Sequence, residues 1–185
     1  MPNSIHSIQQ LSLFFFASDA KGLKTAYDEL ANFFPTSTVD NWSAVEFSFN
    51  RLFVGPRALL APPYASIYLD NDSMRLMGET TMQIRQFYEL LGLVSPWLNK
   101  IPDDHIALEL DALWQIETAL LNSGSPQLED MRDYLLTHLQ AWVPKFRMRV
   151  QSVDDVHPAI LSTVETLHLV ISNQLLITAH QYAEI

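Results

Sequence analysis

Asp103, Asp104 and His105 follow Pro102 directly, and Glu109 stands one helical turn beyond the histidine. At a helix start, unpaired backbone N–H groups and the helix dipole favour carboxylates and disfavour an imidazolium, so His105 is expected to be neutral. The four-residue spacing puts His105 and Glu109 on one helix face, where a carboxylate and an imidazole could do acid/base work or hold a metal. The bland alternative is capping plus a surface pair. The other histidines, His6, His138, His157, His168 and His180, are single, with no pair at ligand spacing on one helix face. Walker and dinucleotide glycine loops, the zinc-helix signature, calcium loops and the nucleophile elbow are absent. With no cysteine in the chain there is no thiol nucleophile or thiolate metal site. An enzymatic reading therefore reduces to a small helical hydrolase or metal-dependent enzyme using His105 with Asp104 or Glu109, and no converging substrate-binding groups accompany them.

A second candidate is residues 54–68, where three prolines, one glycine and two tyrosines are interleaved with Leu59, Leu60 and Ile67. Such a segment is neither regular helix nor ordinary solvent loop, and should be a packed apolar loop. One role is a rigid crossover whose Pro62-Pro63 pair and tyrosines complete the core. The other is a preorganised groove. Prolines fix the backbone at low entropic cost, and Tyr64 and Tyr68 offer flat apolar faces ending in a hydroxyl, a surface suited to a peptide.

The elements that must position these residues are helical. Apolar residues recur at helical spacing throughout, and only five glycines interrupt them. Helices are expected over residues 5–18, with Ile8, Leu11, Phe14 and Phe15 on the apolar side, and over 23–34, ended by Pro35. A third is expected over 42–53, with Val45, Phe49, Leu52 and Phe53 on one side. A fourth covers 73–91, with Met77, Ile84, Phe87 and Leu91 apolar. After a loop over 94–102, Asp103 is the expected N-cap of a helix to Leu121. Pro126 opens the next, which should end near Trp142 and Pro144. A last helix over 158–182 carries Ile160, Val164, Leu167, Ile171 and Leu175 as its buried stripe. His138, Trp142, Pro144 and Phe146 read mainly as packing.

With 185 residues, 48% hydrophobic and 17% charged, the chain has too much apolar side chain for disorder and enough for one sizeable core, so a single domain over 1–185 is expected. A net charge of −10 argues against nucleic acid or an anionic membrane surface as the partner and would attract a basic one. The apolar stretch 11–17 has no Lys or Arg before it and is too short to span a bilayer, so the protein is expected in the cytoplasm. No cofactor or metal is called for.

Three segments, Arg51-Leu-Phe-Val-Gly-Pro56, Ala61-Pro-Pro-Tyr-Ala-Ser-Ile-Tyr68 and Pro102-Asp-Asp-His105, resemble in order and spacing the TorD/DmsD family of redox-enzyme maturation chaperones. The stretch 51–70 is most similar to the branch serving dimethyl sulfoxide reductases. The resemblance implies a single-domain, all-α helical bundle that binds the twin-arginine signal peptide of a molybdopterin-containing reductase, of the dimethyl sulfoxide or trimethylamine N-oxide type. It holds that client for cofactor insertion before export. The partners implied are that signal peptide and the catalytic subunit, with the Tat translocase a further candidate, and the protein would be a monomer or a domain-swapped dimer.

Carried onto this sequence, the peptide-binding residues are Phe49, Leu52, Phe53, Arg57, Pro63, Tyr64 and Tyr68, together with Pro102, Asp104 and His105. The aromatic and leucine side chains would receive the client's apolar stretch, and Asp104 its arginines. The pattern departs from the family at Ile101, where members usually carry Glu, at Arg57, where the nearest branch has an aromatic, and at Tyr64 and Tyr68, which stand in place of tryptophans. Guanine-nucleotide binding, the remaining reading, has no phosphate loop to support it.

Overall fold

The computed structural model describes residues 2–70, 77–93 and 100–183, with side chains at 5–70, 77–93 and 100–174. Its regular elements are all helical: α1 (Pro2–Phe16), α2 (Ala20–Leu30), α3 (Trp42–Phe49), α4 (Ser66–Leu69), α5 (Glu79–Leu90), α6 (Ile106–Asn122), α7 (Pro126–Gln151) and α8 (Pro158–Ala183). α1 is apolar enough to be buried on several sides. Ile8, Leu11, Phe14 and Phe15 are all buried, and the helix packs between α6, α2 and α8. α7 lies along α8 and α6, while the short α4 bridges α5 and α7. The stripe expected on α8 is buried at Ile160, Val164, Leu167 and Ile171; the side chain of Leu175 lies outside the described residues.

Several boundaries differ from expectation, each for a local reason. α2 starts earlier because the Asp19 side chain caps it, accepting from the Gly22 N–H. The third helix does not run regularly to Phe53. It widens into a π-helical turn over Asn50–Val54, closed by Gly55 at φ 103°, a conformation that favours glycine. The loop at 54–68 is irregular as expected, except that its end winds into α4. The fourth helix begins at Glu79, and residues 73–76 of the expected span lie outside the described residues. Met77 belongs to no helix and is exposed, so it is not part of the apolar stripe. Most of the expected loop at 94–102, namely 94–99, also lies outside the described residues.

Two expectations fail more substantially. Asp103 is not the cap of α6: its carboxylate is engaged with Arg85, and His105 takes the N-cap position instead, its ring nitrogen accepting from the Ala107 N–H. α7 does not end at Pro144 but continues to Gln151. A proline inside a helix loses one backbone hydrogen bond and crowds the preceding turn, at about 3 kcal/mol. Trp142, Val143, Phe146 and Val150 on this stretch are all fully buried, and their burial offsets that cost.

Candidate functional site

Two distant stretches meet at one point. The Ala65 N–H donates to the Asp104 carbonyl at 3.0 Å and the Ile106 N–H to the Pro63 carbonyl at 2.9 Å, which pairs Tyr64 with His105 as an isolated antiparallel bridge. Pro62 and Pro63 have no N–H, so their backbone leaves no donor to satisfy as it crosses the α6 N-terminus. The Asp104 carboxylate completes the junction, accepting from the Ser66 N–H and from the Thr81 hydroxyl, each at 2.8 Å. One side chain thus ties the loop, the 102–105 turn and α5 together. Arg85 of α5 donates to Asp103 at 2.7 Å, and the Tyr88 hydroxyl to the Asp103 carbonyl at 3.1 Å.

His105 is enclosed between Phe16, stacked at 6.1 Å, and Tyr64, edge-on at 5.1 Å. Burial pushes its pKa down to about 4. The imidazole is therefore neutral at physiological pH, as expected from the sequence, but the cause is desolvation rather than the helix dipole, and a neutral ring is what its capping bond requires. The Tyr64 hydroxyl is held above its ordinary range by burial and then by the Asp104 charge.

Tyr68 forms the other side of the loop. Its hydroxyl donates to the Pro62 carbonyl at 2.9 Å, and its ring lies on Trp142 at 5.7 Å and 18°. Burial pushes its pKa well up, against the lowering influence of Arg149. α7 clips the loop from outside: Lys145 donates to the Tyr68 carbonyl at 3.0 Å and Arg149 to the Leu60 carbonyl at 2.8 Å.

Under the loop, the candidate residues separate. Tyr64, Tyr68 and Pro102 are partly exposed around the junction, and Arg57 is exposed on the loop. Phe49, Leu52 and Phe53 are buried in the core, where Phe53 meets Phe15, Phe49 and Phe146, and Pro63 is buried with them. Asp104 has no exposed surface and His105 is 8% exposed. Phe49, Leu52 and Phe53, expected to receive the client's apolar stretch, and Asp104, expected to meet its arginines, are therefore not an open surface here: the apolar groups fill the interior, and the Asp104 carboxylate is occupied by the chain's own donors. The exposed part of the site is a proline-tyrosine surface.

Sequence reasoning put Glu109 with His105, and the structure does not. Glu109 is fully buried, accepting from the Trp142 indole at 3.0 Å and lying 3.0 Å from the His138 ring nitrogen. His138 and Trp142 thus do more than pack. The available signal was a lone glutamate between Leu108 and Leu110 in an otherwise apolar stretch, which must find a buried partner. Among the described residues no group of acids and histidines could hold a metal ion. A separate groove of about 350 Å³ runs between α5 and α7, lined by Phe87, Leu90, Met131 and Tyr134 with Gln83, Gln86 and Asp130. None of the expected site residues borders it.

The all-helical fold is shared with a solved structure, a candidate redox enzyme maturation protein from Archaeoglobus fulgidus. The fold matches at a TM-score of 0.64 and 18% identity, over 91% of this chain and 93% of that one. Residues 17–148 match the family model described as nitrate reductase delta subunit, and the chain belongs to that family, which includes the TorD and DmsD proteins. The Tat proofreading chaperone DmsD of Salmonella typhi is 36% identical over 100 residues, 54% of this chain and 45% of that protein. The chaperone protein TorD of Escherichia coli O157:H7 is 27% identical over 154 residues, 81% of this chain and 73% of that protein. The matched stretch spans about half the length of the DmsD relatives. Among the described residues no helix is long and apolar enough to cross a membrane.

Proposed function

We propose that this protein is a cytoplasmic maturation chaperone and not an enzyme. It holds the twin-arginine signal peptide of a molybdopterin-containing reductase, of the dimethyl sulfoxide or trimethylamine N-oxide type, while the cofactor is inserted. The observation that carries this reading is the junction of Pro63–Ala65 with Asp104–Ile106, which joins two of the three segments resembling the chaperone family at one partly exposed surface. Relatives named as chaperones support it. So does the net charge of −10, which favours a leader carrying paired arginines. Tyr64, Tyr68 and Pro102 would contact the peptide, while Asp104, His105 and Pro63 hold that surface in shape. The hydrolase reading finds no support in the geometry, because His105 caps α6 and Glu109 is bound to His138 and Trp142.

Calorimetric titration with a synthetic peptide bearing adjacent arginines and an apolar run tests the reading. Saturable binding should weaken when both arginines are replaced by alanine, and weaken again as salt rises. Equal affinity for a scrambled peptide of the same composition would overturn it.

A further inference from the structure

We propose that Glu109 and His138 are positioning residues for the peptide-holding surface: gripped by the imidazole, the carboxylate fixes the plane of the Trp142 indole and through it the tilt of Tyr68. This inference rests on the reading that Tyr68 contacts the peptide. The chain of contacts is short. Glu109 places one carboxylate oxygen on His138 and the other on the indole N–H, so the carboxylate plane and the indole are set together. The indole is fully buried and lies nearly parallel to Tyr68, so the tyrosine ring rests on it. Tyr68 is otherwise held at its two ends, by the Pro62 carbonyl at the hydroxyl and by Lys145 at the backbone carbonyl. Phe146 meets the ring edge-on at 6.0 Å, and the indole covers its face, so the two together limit its rotation and the indole sets its tilt.

A fully buried carboxylate is a costly way to satisfy one indole N–H, since a backbone carbonyl would serve without a charge to desolvate. A buried ion pair is weak evidence of net stabilisation, and in this protein the role proposed for it is the geometry it imposes on the indole. His138, 11% exposed at its side chain, is the member of the trio that solvent can reach. Burial lowers its proton affinity, but the Glu109 charge and hydrogen bond outweigh that and leave it raised, with Asp104 adding in the same direction. Glu109 is itself raised, by burial first, against His138 and Trp142, with Asp104 again raising it. From α5, Tyr88 faces the same region among Glu109, Asp103, Asp104 and Asp111, and burial holds its hydroxyl protonated well past its ordinary range. The member of the trio that gives up a positive charge as pH rises is His138, held above its ordinary range by Glu109. Its deprotonation leaves Glu109 beside a neutral ring and loosens the grip on the indole.

The experiment measures affinity for an acetylated twin-arginine peptide, which has no group titrating between about pH 6 and about pH 9. The proteins are wild type, Glu109→Gln, His138→Gln and Tyr68→Ala. Wild-type affinity should fall several-fold across that range. Glu109→Gln, which retains an acceptor for the indole, and His138→Gln should give flat profiles, and Tyr68→Ala should lose roughly tenfold at every pH. A Glu109→Gln profile that tracks wild type while Tyr68→Ala loses binding would overturn the positioning role and leave the peptide surface intact. If wild type bound no such peptide, the proposed function itself would fall, and this inference with it. Should the buried variants not fold, wild type labelled with fluorotryptophan decides, with Trp142 assigned by elimination from Trp42→Phe, Trp97→Phe and Trp114→Phe. Its fluorine resonance should titrate with His138, and a resonance that stays fixed over the same range would refute the coupling.

Discussion

The loop junction and the α5–α7 groove treat their polar and apolar groups in opposite ways. At the junction every carboxylate is engaged: Asp103 by Arg85, Asp104 by Ser66 and Thr81, Glu109 by His138 and Trp142. In the groove Leu90 is left 76% exposed and Tyr134 47% exposed, beside a buried Phe87. Buried hydrogen-bonded carboxylates make a shape rigid, because any displacement strands a charge in low dielectric. Exposed leucine and tyrosine define no shape. Rigidity located beside Tyr64 and Tyr68 is what a surface preorganised for a peptide requires, whereas the carboxylate that lines the groove, Asp130, is exposed.

Removing a carboxylate from the junction should therefore have the largest effect. Asp104→Ala leaves the Ser66 N–H and the Thr81 hydroxyl buried without an acceptor, and is expected to cost about 3 kcal/mol in denaturant unfolding, near the sum of two such losses. Asp104→Asn should cost less, because its carbonyl oxygen still serves one donor. If Asp104→Ala melted with wild type, the junction would not be the rigid element argued here.

Acid should weaken the same region through His105. Its folded pKa of about 4 lies below the unfolded value of about 6.5, so the folded state resists protonation. The stability this contributes is fully present above about pH 6.5 and is lost as the pH falls through about 4, amounting to about 3 kcal/mol over the window. His105→Asn keeps a capping acceptor but cannot titrate. The difference between its unfolding free energy and that of wild type should shrink steadily as pH falls between those values, and a constant difference would mean that the imidazole is not buried neutral.

How much of this was legible in the sequence depended on the distance over which the deciding contact acts. The stripes Ile8-Leu11-Phe14-Phe15 and Ile160-Val164-Leu167-Ile171 follow from helical spacing alone, and both are buried. Pro144 misled because local chemistry says stop, whereas Trp142, Phe146 and Val150 pack against a core that a local reading does not see. Asp103 looked like a cap because its partner Arg85 lies on another helix, and Glu109 looked like a partner for His105 because His138 is 29 positions away. The meeting of Pro63–Ala65 with Asp104–Ile106 was reached through family resemblance. The types of those residues made a site plausible, but nothing in their spacing forces the two stretches together. Burial of Phe49, Leu52 and Phe53 was predicted as a helix face, and which partner would cover that face was not readable from the residues.

A smaller effect is expected where α5 begins. The Asp70 carboxylate accepts from the Thr80 N–H at 3.2 Å and from the Thr80 hydroxyl. A Cβ built on Gly78 would run into the free oxygen of that carboxylate. Gly78→Ala should force Asp70 away from Thr80 and cost about 1–2 kcal/mol. Because both changes remove the same cap, Gly78→Ala combined with Asp70→Ala should cost little more than Asp70→Ala alone, and additive losses in thermal melts would show that the glycine serves some other purpose.

The smallest change in stability is expected in the groove, and it is also the sharpest test of the contrast between the two regions. Leu90 is mostly exposed and its replacement opens no cavity, so Leu90→Gln should alter unfolding free energy by less than about 0.5 kcal/mol. If the peptide is held at the proline-tyrosine surface, affinity for the twin-arginine peptide should also be unchanged, while Tyr64→Ala weakens it. The reverse pattern, a peptide lost on Leu90→Gln and retained on Tyr64→Ala, would transfer the site to the α5–α7 groove. The rigid junction would then be a scaffold that holds α5 in place through Asp103, Asp104, Arg85 and Thr81, and open apolar area rather than preorganisation would be what captures the client.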